Sequence, residues 1–216
     1  MRIGILGTGN VGRALAAGWA RAGHDIVLGS RRPEDPELLT ELEDLLDAGV
    51  RIGDPAAATA HAEVVVNATP GTDSVPLLES VGASALEGKV LLDVAVGFLE
   101  DGSLSHPLVS LGEEIQSAFP RTRVVKTLCT VDRAVMVSPQ SLEGPSTLFL
   151  SGDDAEAKET VSALLRDLGW PRDSLLDLGG IGTARGQEHF ALLFIGIAQA
   201  TKTYGFGIRV VRPAAA

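Results

Sequence analysis

The residues best suited to chemistry stand at the start of the chain. "GTGNVG", Gly7 to Gly12, follows the apolar run Ile3–Leu6 and precedes the Ala/Leu-rich stretch Ala14–Ala22. In the order strand, tight turn, helix, each glycine has its own part: Gly7 permits the turn, Gly9 lets backbone approach a ligand, and Gly12 lets the helix lie close to the sheet. Amides around Asn10 and Val11, backed by the positive end of the helix dipole, then face outward as a cradle for phosphate groups. The expected ligand is the pyrophosphate of a dinucleotide.

A second cluster, "GSRR", Gly29 to Arg32, closes the next apolar run, Asp25–Leu28. A site for NAD usually places an acid here, about 20 residues past the glycines, to accept hydrogen bonds from the ribose 2′-hydroxyl. Asp25 lies at the wrong end of its strand, and Glu34 and Asp35 belong to the start of the following helix. Ser30 can donate a hydrogen bond, while Arg31 and Arg32 add charge and a planar face for adenine, a set that suits a 2′-phosphate. The predicted cofactor is NADP(H). The competing reading is a solvated basic corner paired with Glu34 and Asp35.

In doubly wound sheets, ligands lie beyond the carboxyl ends of the strands, so the loops that follow each strand carry the remaining candidates. Thr69, Pro70 and Gly71, in "NATPGTDS", form a turn able to pass the nicotinamide ribose, or an ordinary strand-to-helix turn. Cys129 and Thr130, in "KTLCTVDRAVM", stand at another strand end; a free cysteine there can face a redox site or simply fill a small apolar space. Glu188 and His189 could reach a substrate from the last helix, or serve the structure alone. His24, His61, His106 and His189 share no ligand spacing with Cys129, so no metal is expected. No residue is assigned as a catalytic acid, base or nucleophile.

The elements that must position these residues alternate along the chain. Candidate strands are Arg2–Leu6, Asp25–Leu28, Val50–Ile52, Glu63–Ala68, Val90–Val96, Arg123–Leu128, Thr147–Ser151 and Leu175–Leu178. Between them, Asp35–Pro36 and Asp54–Pro55 read as N-cap and first-turn pairs. The first opens a helix with leucines at 38, 39, 42, 45 and 46 that Gly49 ends; the second opens a short one, Ala56–Ala60. Asp153–Leu168 is a further amphipathic helix, and Thr183–Tyr204 is helical and apolar almost all round, with Gly205 as its expected stop. Such a helix must be covered, by its own chain or by a second subunit.

The predicted fold class is α/β: a doubly wound, mostly parallel Rossmann-type sheet with a small helical C-terminal extension. The expected division is an NADP-binding domain over residues 1–180 and a helical extension over 181–216, packed on the domain or at a dimer interface. With 216 residues the chain can build a full core, and its single cysteine points to a reducing, cytoplasmic setting. A net charge of −10 argues against nucleic acid or an anionic membrane as partner, and the 4% aromatic content against a base-stacking platform. The absence of a leader-like start and of an apolar run long enough to span a bilayer fits a protein without membrane attachment.

With these motifs in place, the chain resembles the NADPH-dependent reductases of the deazaflavin coenzyme F420 over nearly its whole length. The likeness rests on "GTGNVG", "GSRR", "KTLCT", "SGDDAEAK" and "YGFGIRVV", in that order. It implies that Thr8, Gly9, Asn10 and Val11 meet the pyrophosphate, Ser30 and Arg31 the 2′-phosphate, and Pro70 and Gly71 the nicotinamide side. Cys129 stands where such reductases often carry histidine or asparagine near the hydride-accepting ring, which makes Cys129 and Thr130 the candidate substrate pocket. The resemblance also implies a homodimer. The expected reaction is hydride transfer between NADP(H) and a flat small-molecule acceptor, coenzyme F420. Such a transfer needs rings held at roughly 3–3.5 Å more than it needs an acid or base. Two other readings remain: a pyrroline-carboxylate-type imine reductase, which normally carries a longer helical domain after the sheet, and an NADP(H)-binding redox sensor without turnover.

Overall fold

Six of the predicted strands pair into one sheet in the computed structural model, which describes residues 1–213. They are β1 (Arg2–Leu6), β2 (Asp25–Gly29), β3 (Arg51–Gly53), β4 (Val64–Asn67), β5 (Val90–Asp93) and β6 (Arg123–Lys126). All pair in parallel, in the order β3-β2-β1-β4-β5-β6. β7 (Leu148–Leu150) and β8 (Leu175–Asp177) form a separate parallel pair, tied to the main sheet by an antiparallel bridge from Ser151 to Lys126. The strand order reverses direction next to β1, which opens a crevice at the carboxyl ends of β1 and β4.

Side-chain alternation divides the core between the two faces of the sheet. Ile3, Ile5, Val64, Val66, Val90, Leu92 and Val125 point to one side, where α1 (Asn10–Arg21) contributes Leu15 and Trp19 and α9 (Ala155–Asp167) contributes Val161, Leu164 and Leu165. Leu6, Val65, Leu91 and Val124 point to the other, covered by α4 (Pro55–His61), α5 (Gly71–Val81), α6 (Ala83–Leu86) and α7 (Leu111–Ala118). Burial on both faces is why the strands read as unbroken apolar runs. The indoles of Trp19 and Trp170 are buried, and each donates its N–H to a carbonyl, Leu164 and Met136 respectively, at 2.9 Å. Neither costs an unpaired donor.

Local caps form as the sequence predicts: Asp35 accepts from the amides of Glu37 and Leu38, and Asp54 from that of Ala57, each with proline next. The helix after Asp35, however, is not continuous. It breaks at Leu42 (φ −106°, ψ 10°) into α2 (Pro36–Glu41) and α3 (Glu43–Asp47). Leu42 and Leu45, three residues apart and so on one face, both reach the core, while Leu46 stays 39% exposed.

Five predicted strands are shorter than expected: Glu63–Ala68, Thr147–Ser151 and Leu175–Leu178 lose one residue at one or both ends, and two others lose more. Val90–Val96 stops at Asp93 and Arg123–Leu128 at Lys126, because Asn67, Asp93 and Lys126 are the last residues in register across β4, β5 and β6. One further amide in each, Val94 to the Asn67 carbonyl and Thr127 to the Asp93 carbonyl, closes the ladder before the backbone leaves as loops, the second through α8 (Arg133–Met136).

The last helix, α10, runs Ala184–Thr201 and ends with Lys202 in the left-handed region (φ 60°), not at Gly205. The reversal comes early so that Phe206 can stack on Phe194 with centroids 4.7 Å apart. The returning segment then reaches β7, where the Thr147 amide donates to the Ile208 carbonyl at 2.7 Å. The all-round apolar helix is also not fully covered: Leu192 is 44% and Leu193 58% exposed. Residues 214–216 of the expected extension lie outside the described residues. Among the described residues, no helix is long and apolar enough to cross a membrane, and no group of His, Cys, Asp and Glu could hold a metal ion.

Candidate functional site

A cavity of about 840 Å³ opens at the crevice. Residues 7–11, 29–31, 68–70 and 94–96 line it, with Thr72, Asp73, Pro76, Leu77 and Ser80 of α5 along one wall. Gly7, Thr8, Gly9, Asn10, Val11, Ser30, Arg31, Thr69 and Pro70 thus meet in one space, although they come from three separate strand ends.

The glycine turn is built to be empty at its centre. Gly7 takes φ 113°, closed to most side chains, and a Cβ on Gly12 would overlap the Gly7 carbonyl oxygen. Gly12 therefore does not line the cavity; it sets the close seat of α1 that shapes it. Arg13 Nε donates to the Thr8 carbonyl at 2.6 Å and fixes the turn from behind. A Cβ on Gly9 would meet no atom within 4 Å, and Gly9 caps α1 without any side-chain hydrogen bond. The first-turn amides are left to a ligand in the cavity, which is the arrangement a pyrophosphate requires. Gly9→Val should therefore melt with the parent protein yet lose NADPH affinity by at least about tenfold, about 1.4 kcal/mol, through steric exclusion. Paired thermal melts and nucleotide titrations check this; unchanged affinity in the variant would place the phosphates elsewhere.

At the end of β2, Ser30 is buried and its Oγ accepts from the Arg32 amide at 3.0 Å. Arg31 extends into the cavity mouth and is 80% exposed, with Nη1 3.9 Å from Oδ2 of Asp73 on α5. Arg32 departs from expectation. It lies outside the cavity, drawn onto Asp35 at 3.0 Å, because that carboxylate is fixed by its duty as the α2 cap. Arg32 thus makes the pairing with Asp35 that the basic-corner reading describes, whereas Arg31 pairs with Asp73 and lines the cavity.

At the end of β4, Thr69 Oγ1 donates to Asn67 Oδ1 at 2.6 Å, and Asn67 Nδ2 donates to Ser74 Oγ at 2.9 Å and to Asp93 Oδ1 at 2.8 Å. Gly71 is buried behind this turn and does not line the cavity; a side chain there would run into the backbone of Gly97. The hydrogen-bonded chain continues inward. Lys126 Nζ lies 2.9 Å from Asp93 Oδ2 and 2.8 Å from Glu188 Oε1, all three essentially without solvent exposure, and it also donates to the carbonyl of Ala95. Glu188 accepts in turn from the amides of Leu111 and Gly112, at 2.8 and 3.1 Å, which joins α10 to the start of α7. Burial would push the Lys126 ammonium down; the facing carboxylates, Asp93 foremost, outweigh it and hold its pKa above the ordinary 10.5. Sequence reasoning missed this cluster. Its signal was a lysine and an aspartate, each ending an apolar strand.

Cys129 and Thr130 are not in the cavity wall. The chain turns sharply at Leu128 (φ 66°), and Cys129 Sγ comes to rest 4.0 Å from Gln187 Oε1. Burial pushes its thiol up to about 12. The hydroxyls of Thr127 and Thr130 beside it are buried without a hydrogen-bond partner among the described residues. Glu188 is taken up by Lys126 and the amides of Leu111 and Gly112, and His189 Nε2 lies 3.0 Å from the Pro107 carbonyl, holding a surface loop against α10.

Residues 2–97 match the model of the family described as NADP oxidoreductase, coenzyme F420-dependent. A solved structure from Arthrobacter sp. FB24, named as a candidate F420-dependent NADP-reductase, is 38% identical with a TM-score of 0.90, covering 98% of this chain and 100% of that one. The chain belongs to this family. The F420-dependent NADP reductase of Methanothermobacter marburgensis is 26% identical over 230 residues, covering 97% of this chain and 98% of its own. The metalloreductase STEAP3 of Rattus norvegicus is 30% identical over 192 residues, and the chain spans 36% of that protein's length. The family's members are NADP-dependent oxidoreductases, and so is this chain. The empty turn at Gly9, the free amides behind it and a cationic side chain at the far end of the cavity fit such a cofactor.

Proposed function

We propose that the protein transfers hydride between NADP(H) and coenzyme F420 or a similarly flat acceptor. The observation that carries this reading is a single cavity lined at once by the residue 7–11 turn, by Ser30 and Arg31, and by Thr69 and Pro70. When bound, NADP(H) supplies or takes two electrons and a proton as hydride at its nicotinamide ring. The chain's own part is to hold and orient. Amides of the α1 first turn would take the pyrophosphate, Ser30 and Arg31 the 2′-phosphate, and the Thr69–Pro70 turn with Val94–Val96 the nicotinamide end. No acid or base is assigned, in keeping with a reaction that needs alignment first.

Mixing the protein with NADPH and either oxidised F420 or a cyclic imine, and following NADPH absorbance, tests the acceptor. Turnover with F420 is expected; turnover with the imine alone, or binding without turnover, would overturn the reading. The same proposal takes residues 1–180 as the cofactor-holding unit, residues from 181 as its extension, and a reducing cytoplasm as the setting, in keeping with the single cysteine.

The proposed assembly is a homodimer through α10. Leu192 and Leu193 are exposed together, and Leu108 (80% exposed) and Val109 lie on the loop that His189 holds to the same helix. Leaving such side chains in water forgoes about 1.5–3 kcal/mol each. Leu192→Asp with Leu193→Asp should therefore give a folded monomer by sedimentation. A parent protein that sediments as a monomer at micromolar concentration would refute the dimer.

A further inference from the structure

Among the described residues lining the cavity, Arg31 is the sole cation, and its guanidinium is already shared. Its partner, Asp73, stands in the first turn of α5 on the opposite wall, 3.9 Å away, and is the sole acid in the same lining. Arg32 is drawn off to Asp35, so it brings no second positive charge to that end of the cavity. The acid that an NAD site carries at the end of its second strand is missing from β2, yet the fold brings an acid to the same end of the cavity from α5.

We propose that Asp73 is a specificity-determining residue: facing Arg31 across the cavity, it weakens the hold on a 2′-phosphate, offers an acceptor to a free 2′-hydroxyl, and so limits the preference for NADPH over NADH. The inference rests on the reading that Arg31 meets the 2′-phosphate. Its physical basis is charge. A phosphate of about −2 that approaches Arg31 must displace or tolerate a carboxylate within ion-pair range of the same guanidinium. An exposed pair of this kind is weak, so it can be exchanged for the ligand, but it still lowers the net attraction. A ribose hydroxyl meets no such repulsion and gains an acceptor.

The test is titration of NADPH and of NADH, by nicotinamide fluorescence, into the parent protein, Asp73→Asn, Arg31→Ala and the double variant. Both side chains are exposed, so all four proteins should fold, which thermal melts verify. Asp73→Asn is expected to tighten NADPH by about two- to fivefold with no gain for NADH, and because carboxylate–phosphate repulsion does not need the guanidinium, a gain of similar size should persist in the Arg31→Ala background. An unchanged or reduced NADPH-to-NADH preference in Asp73→Asn, with Arg31→Ala still costing NADPH selectively, overturns the role of Asp73 alone. If Arg31→Ala spares NADPH, the 2′-phosphate is not at Arg31, and the inference falls together with the reading beneath it.

Discussion

Lys126→Met is expected to destabilise the protein by about 3–5 kcal/mol, because it removes the single cation that neutralises two buried carboxylates. That is a large share of the roughly 5–15 kcal/mol by which a domain of this kind is stable. The loss is one of desolvation more than of attraction. Asp93 and Glu188 would remain out of water with their counter-charge gone, while the Ala95 carbonyl would lose its donor. A triple variant, Asp93→Asn, Lys126→Met and Glu188→Gln, should recover part of the loss, since no net charge is then buried. The sign of the pH dependence also follows. A folded-state pKa above the unfolded value of 10.5 means the lysine's contribution is complete below that pH and fades only as pH rises toward the folded value. The gap between parent and Lys126→Met should therefore be flat from about pH 6 to 9 where the lysine is concerned. Urea melts measure all of this, and a Lys126→Met variant within about 1 kcal/mol of the parent would contradict it.

Arg31→Ala should weaken NADPH by roughly one to two decades and leave NADH within about twofold. A hydrogen-bonded charge pair to phosphate is worth about 1.5–3 kcal/mol, and NADH has no phosphate at that position to lose it. Arg32→Ala, by contrast, should cost less than Arg31→Ala, since its guanidinium is held by Asp35 outside the cavity. Calorimetric titration of both nucleotides against both variants separates the two arginines. Equal losses from the two would show that the pairing with Asp35 does not persist when nucleotide binds. A similar affinity of the parent protein for NADPH and NADH would remove the 2′-phosphate reading altogether.

Features encoded by neighbours along the chain are legible in the sequence without any structure. The glycine turn is one, because strand, Gly7, Gly9, Gly12 and helix are contiguous, and the position of Ser30 and Arg31 just past the very next strand is another. The central strands β1, β2, β4, β5 and β6 are legible because burial on two faces writes unbroken apolar runs, and the caps at Asp35 and Asp54 because a cap acts over two or three residues. Which strand ends face one another was settled in three dimensions. Asn67, Asp93 and Lys126 became a buried row because β4, β5 and β6 are neighbours in register, and Glu188 completed it from a helix 62 residues farther along the chain than Lys126. Arg31 and Asp73 met for the same reason, across a crevice that exists only where the strand order reverses. Cys129 is turned away from the cavity where the backbone reverses at Leu128, and the break of the leucine-rich helix at Leu42 left no mark in its periodicity. Periodicity specifies which face a residue takes on its own element. The partner it meets across elements depends on the order in which those elements are laid side by side, which no local pattern carries.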